Sequence, residues 1–175
     1  MKFSIITVCY NSVKTIEQTI QSVLLQDYDE LEYIIVDGGS TDGTTAVIEQ
    51  YRKKISVYIS EPDRGLYDAM NKGINRASGD VVAFLNSDDW YERGTLEKVR
   101  EYFDRNEVDI VSGNMYMWTD RVCSRYGVDR KNRENVFFES IYPQPALFVK
   151  RELYLRFGGF DLTYKVAADT KWIMN

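Results

Sequence analysis

The sequence contains no histidine. That absence removes imidazole acid–base chemistry, serine-hydrolase triads and His-ligated metal sites, so any reaction run here rests on carboxylates, a metal ion or both. Cysteine is nearly as scarce, with two residues. Cys9 lies in an apolar strand pattern and Cys123 in a polar, basic stretch. This placement argues against a structural disulfide and suits a reducing cytoplasm. Basic residues are outnumbered, 22 Lys and Arg against 27 Asp and Glu, for a net charge of −5. A nucleic-acid partner, which normally needs a basic face, is therefore not expected. Long hydrophobic runs are missing too. No apolar stretch approaches the roughly 20 residues that cross a bilayer, and neither end reads as a signal peptide.

What is present is an ordinary globular composition: 175 residues, 44% hydrophobic and 28% charged, enough for one domain with a substantial core. Aromatic residues reach 14%, with 13 Tyr. Such residues line sugar and nucleobase surfaces, but more often they fill a core.

Strand and helix patterns alternate along the chain. "FSIITVCY" is a β-branched run typical of a buried strand, and Asn11 or Ser12 is placed to cap a helix carrying Ile16, Ile20, Val23 and Leu24 at helical spacing. "LEYIIVDGGSTDGT" repeats the scheme, with Asp42 as N-cap of a helix through Ala46, Val47 and Tyr51. "ISVYISEPD" is a third strand, followed by a helix with Leu66, Ala69, Met70 and Ile74 on one face and Gly79 past its end. "DVVAFLNSDDW" is the fourth, and Leu96, Val99 and Phe103 mark the next helix. "VDIVSGNMYMW" and "RVCSRYGV" are extended segments and candidates for pairing. The alternation predicts an α/β fold, a mostly parallel central sheet flanked by helices in a single domain over residues 1–175.

In open sheets of this kind ligands bind beyond the carboxyl ends of the strands. Those ends here are Tyr10-Asn11, Asp37-Gly38-Gly39, Glu61-Pro62-Asp63 and Asn86-Ser87-Asp88-Asp89. One polar strand end is usually a solvated turn, whereas four on one rim predict a ligand site. Two adjacent acids after a core strand are costly unless a cation offsets their repulsion. Mg²⁺ commonly uses one or two carboxylates while it bridges phosphates. "VDGGSTDGT" lacks both the dinucleotide fingerprint and the Gly-Lys-Ser/Thr of a P-loop.

Taken together, "SIITVCYN", "IIVDGGSTDGT", "SEPDRGLYDAMNKGINRASGD" and "VVAFLNSDDW" stand in the order and spacing of the family 2 glycosyltransferases of the GT-A fold. The chain resembles the bacterial members that build cell-surface polysaccharide. The resemblance runs from residue 3 nearly to the end, through "PQPALFVKRELYLRFGGFD" and "AADTKW". It implies a nucleotide-sugar donor, a divalent metal (Mg²⁺ or Mn²⁺), a glycan or lipid-linked acceptor and an inverting transfer. By similarity Thr7, Tyr10 and Asn11 edge the nucleoside, Asp37 holds base or ribose, and Asp63, Asn71 and Lys72 belong to the region closing over the donor. In the D-x-D position stand Asn86, Ser87 and Asp88: Asn86 suits a ribose contact, Ser87 belongs to the donor loop, and Asp88 is the implied metal ligand. Asp169 matches the catalytic base, although Ala168 replaces its usual acidic neighbour; Asp161 in "GGFD" is the next candidate.

Two other classes compete. A sugar nucleotidyltransferase would need a Gly-rich, basic loop after the first strand, and "YNSVKTIEQ" has one Lys and no Gly. A binding protein of the same fold without catalysis is the other, and Ala168 gives it standing. Residues 119–135 carry Arg121, Arg125, Arg130, Lys131 and Arg133 against Asp120, Asp129 and Glu134. This local positive excess predicts either a solvated loop or a surface facing an anionic partner, such as a lipid-linked diphosphate or the inner face of the membrane. "VAADTKWIMN" stops without a helix-ending signal, so the catalytic domain is expected to continue beyond residue 175.

Overall fold

The computed structural model describes residues 1–118, 123–126 and 143–174. Six strands form one sheet in the order β3-β2-β1-β4-β8-β5. They are β1 (Phe3–Cys9), β2 (Leu31–Asp37), β3 (Val57–Ser60), β4 (Val81–Phe84), β5 (Ile110–Ser112) and β8 (Leu147–Lys150). Strands β1 to β4 are mutually parallel, as the alternating pattern predicts, and β8 runs antiparallel between β4 and β5. A separate antiparallel hairpin pairs β6 (Met115–Trp118) with β7 (Cys123–Tyr126). "VDIVSGNMYMW" thus supplies two strands: its first half joins the main sheet and only its second half pairs with "RVCSRYGV". The basic segment 119–135 lies outside the described residues except for 123–126, where Arg125 is exposed.

Every residue of β1 is buried, because both faces of the sheet are covered. Phe3, Ile5 and Cys9 face one core beneath α1 (Ile16–Leu24), α2 (Thr44–Gln50) and α4 (Thr95–Arg105). Ile6 and Val8 face a second core beneath α3 (Leu66–Ile74), α5 (Arg151–Phe157) and α6 (Ala168–Ile173). Each such isoleucine, wholly buried, stabilises the fold by roughly 1.5–3 kcal/mol relative to an exposed one. The chain moves outward from β1 to β2 and β3, then returns through α3 to place β4 on the other side of β1. The β1/β4 boundary is therefore the point where strand order reverses, and crevices open there.

Three capping expectations are corrected by longer-range contacts. Helix α1 begins at Ile16 with Thr15 before it, because the Asn11 side chain is drawn to the β2 loop and the Ser12 carbonyl closes a turn to Thr15 and Ile16. Gly43 precedes α2, while Asp42 acts one position earlier, accepting the Thr44 N–H at 3.0 Å and the Val13 N–H at 3.0 Å. Gly79 is no helix cap either. A side chain there would strike the Lys2 carbonyl and Ser4, so glycine lets the turn before β4 lie against the start of β1.

The end of the sheet remote from the crevice is held by one carboxylate. Glu32 accepts hydrogen bonds from Ser4 Oγ (2.5 Å), Ser78 N–H (2.7 Å), Ser78 Oγ (2.5 Å) and Lys2 Nζ (3.1 Å). Burial alone would raise its pKa, but these donors outweigh burial and hold it at about 2. A depressed carboxylate pKa stabilises the fold above the unfolded value and loses that contribution as pH falls through the folded one. Glu32→Gln is thus expected to cost about 1–3 kcal/mol at pH 7. In denaturant titrations its gap from the parent should narrow below about pH 4.5; a gap that stays constant down to pH 3 would count against this role.

Candidate active site

The rim beyond β1 to β4 is assembled by short side chains that tie one loop to the next. Asp37 lies at its floor, fully buried at the end of β2. It accepts the Ser40 N–H at 3.1 Å, the Ser40 hydroxyl, and the Ser60 hydroxyl at 2.7 Å from β3. Burial, together with the Asp37 carboxylate 3.7 Å away, pushes the Cys9 thiol well above its ordinary pKa. Asp37 thereby fixes the ends of three strands, and its oxygens point into the protein. Thr7 is one layer lower still, wholly buried, its hydroxyl hydrogen-bonded to Tyr33 Oη at 3.0 Å.

Above this floor are the groups that face outward. Asn11 takes a left-handed conformation (φ 51°), donates its N–H to Ser40 Oγ at 2.7 Å and accepts the Thr41 N–H at 2.9 Å. Tyr10 beside it is 65% exposed. Gly38 lies between Tyr10 and Asp63, and a side chain at 38 would run into the Asp63 carboxylate. The exposed Tyr10 ring and the half-buried Asp63 carboxylate thus form a shelf over the buried Gly38 backbone. Lys72 braces the loop under Asp63 through Glu61 (2.9 Å) and the Pro62 carbonyl (3.1 Å). Asn71 is further back. Its amide bonds the Phe160 backbone twice, at 2.8 and 2.7 Å, clamping the "GGFD" turn onto α3.

The Asn86–Asp89 turn meets the first loop across the reversal point, where Ser12 and Ser87 hydroxyls lie 2.8 Å apart. Thr19 of α1 donates to the Asp89 carbonyl at 2.8 Å and holds the turn from below. The two acids are not equivalent. Asp88 is exposed, with no hydrogen-bond or ion-pair partner among the described residues. Burial, with the neighbouring Asp88 charge, raises the Asp89 pKa, and its carboxylate accepts from the Asn86 amide at 3.2 Å. The Asn86 Oδ1 is buried with no donor. An exposed, unpaired carboxylate on this turn makes an incomplete oxygen shell. Among the described residues no cluster of three or more acidic or sulfur ligands completes it. A hard cation that also takes phosphate oxygens fits such a donor set.

Asp169 sits in the first turn of α6, half-buried, and its Oδ1 accepts the Tyr67 hydroxyl at 2.9 Å. Trp172 pins the helix, donating to the Gly158 carbonyl at 2.7 Å and stacking on Tyr154 at 4.4 Å. Asp161 is committed elsewhere: Lys171 at 2.9 Å and Thr163 at 2.7 Å hold its carboxyl well below the usual carboxylate range. A carboxylate so stabilised is a poor proton acceptor, which leaves Asp169 as the better-placed base candidate. Sequence pattern alone does not single out Ser12, Ser40, Ser60 or Tyr67 as residues of the site. Ser40 was visible in "GGSTDGT", but nothing in the sequence says that its hydroxyl turns back to Asp37.

Residues 4–161 match the family model described as "Glycosyl transferase family 2". The chain belongs to that family. Among curated relatives, an uncharacterized glycosyltransferase of Mycobacterium tuberculosis, Rv1514c, is 31% identical over 98% of this chain and 67% of its own. The Bacillus subtilis protein TuaG, a putative teichuronic acid biosynthesis glycosyltransferase, is 45% identical over 57% of this chain and 40% of its own. The solved structure of S. aureus TarS 1-349 with UDP superposes with a TM-score of 0.84 at 27% identity, covering 99% of this chain and 54% of that one. The mannosyltransferase PcManGT of Pyrobaculum calidifontis, in complex with GDP-Man and Mn²⁺, gives 0.74 at 25% identity over 99% and 52%. The sheet and its flanking helices are thus those of the GT-A fold. This chain spans about half the length of those solved chains.

Proposed function

We propose that this family 2 member is an inverting, metal-dependent glycosyltransferase. It moves a sugar from a nucleotide-diphosphate donor, UDP-sugar by default, to a hydroxyl of a glycan or lipid-linked acceptor in cell-surface polysaccharide synthesis. The observation that carries the reading is the Ser12–Ser87 contact, which sets the Asn86–Asp88 turn against the Tyr10–Asn11 loop at the reversal point. The names of TuaG and TarS and the nucleotides bound in the TarS and PcManGT structures support it.

In this reading Tyr10, Asn11 and Asp63 flank the nucleoside on the shelf, and Asn86 Oδ1 accepts from the ribose. Asp88 holds Mg²⁺ or Mn²⁺, whose charge would offset that of the leaving diphosphate. Thr7, Asp37, Asn71 and Lys72 act from beneath, keeping the donor loops in register. Asp169 takes the proton from the acceptor hydroxyl. A carboxylate suffices because that proton is lost late, as the new bond forms.

A donor-binding protein without transfer is the second reading, favoured by Ala168, which is buried in the core where the family usually has an acid. Incubating the full-length protein with a panel of nucleotide-sugars and Mn²⁺ separates the two. Release of nucleoside diphosphate from one donor is expected; none from any donor would favour the binding protein. In this reading the chain works in the cytoplasm, with its basic segment toward an anionic acceptor or the inner membrane face. Among the described residues no helix is long and apolar enough to span a bilayer. Equal sedimentation with anionic and neutral vesicles would remove the membrane part of this proposal.

A further inference from the structure

We infer that Tyr67 is a positioning residue for the transfer, its phenol fixing the Asp169 carboxylate from a helix that starts directly behind the donor shelf. This rests on the reading of Asp169 as the base. Tyr67 lies in the first turn of α3, two residues after Gly65, whose N–H closes on Asp63 at 2.7 Å. Its ring is buried against Phe160, with centroids 5.4 Å apart, so the hydroxyl has little freedom to leave Asp169.

Helix α6 carries Asp169 in its first turn. Ala167 precedes it in a left-handed conformation (φ 61°) and offers no side-chain cap. The Tyr67 phenol donates to the carboxylate that this helix carries. Burial, followed by the nearby Asp169, raises the Tyr67 pKa, which keeps the phenol a donor. With Oδ1 taken by Tyr67, Oδ2 is the oxygen left to meet an acceptor hydroxyl.

Tyr67→Phe removes one oxygen and keeps the ring. In the full-length protein it is expected to lower kcat roughly tenfold, the effect of losing one charge-assisted hydrogen bond, while donor affinity and acceptor KM stay within about twofold. On an Asp169→Asn background the same change should add no further loss, because both substitutions act through one group. Unchanged kcat in Tyr67→Phe beside an inactive Asp169→Asn would overturn the inference and leave the base assignment standing. An equal extra loss on the Asp169→Asn background would also overturn it, marking Tyr67 as packing alone. If Asp169→Asn transfers at the parental rate, the base assignment fails first and the inference falls with it.

Discussion

Asp169→Asn is expected to keep nucleotide affinity and to lose transfer by a factor on the order of 10² or more in kcat. Asparagine has nearly the shape of aspartate and can still accept from Tyr67, so the first turn of α6 should stay where it is. What it cannot do is take a proton. If Asp169 meets only the acceptor, the donor half of the cycle is untouched and the loss falls on the chemical step. The check is initial transfer rates beside nucleotide binding, both with Mn²⁺. Near-parental transfer would place the base elsewhere. Asp161 would then have to be reconsidered, despite its commitment to Lys171 and Thr163.

Asp88→Asn should fail differently. Asp88 is exposed and unpaired among the described residues, so the fold does not depend on it, and thermal unfolding should be nearly unchanged. The substitution leaves an amide where a hard cation needs a carboxylate. Metal-dependent nucleotide affinity and turnover should fall together, by roughly tenfold or more, whereas any metal-independent affinity of the shelf should persist. Asp88→Asn with parental affinity in the presence of Mn²⁺ would remove Asp88 from the metal site.

The contrast between the two carboxylates follows how much of each the sequence exposes. Strands β1, β2 and β4 are legible because burial on both faces favours mostly apolar, β-branched runs, and the polar or acidic residues that follow them are conspicuous. Strand β8 is not. "LFVK" is four residues behind Pro143 and Pro145, and nothing so short states that it will insert antiparallel between β4 and β5. The same limit governs the site. Asp88 was legible as an acid at a strand end, and that is how it stands. Asp37 looks equally available, yet hydroxyls arriving from Ser40 and from Ser60, 23 residues away, turn it inward. Asn71 looked like a donor contact, and its partner is the Phe160 backbone 89 residues later. Tyr67 and Asp169 are 102 residues apart, a pairing that spacing alone cannot suggest. Local pattern fixes elements and strand ends, but side-chain direction at the rim is decided by loops that meet only after folding.

The proposed activity requires this rim to be a diphosphate site completed by a metal. The direct measurement is calorimetric titration of the full-length protein with UDP and GDP, each with and without Mn²⁺, and with Mn²⁺ alone. Weak binding of Mn²⁺ alone is predicted, with one nucleotide binding at least tenfold more tightly when the metal is present. Tight Mn²⁺ binding to the free protein that survives Asp88→Ala, or nucleotide affinity indifferent to metal, would contradict it.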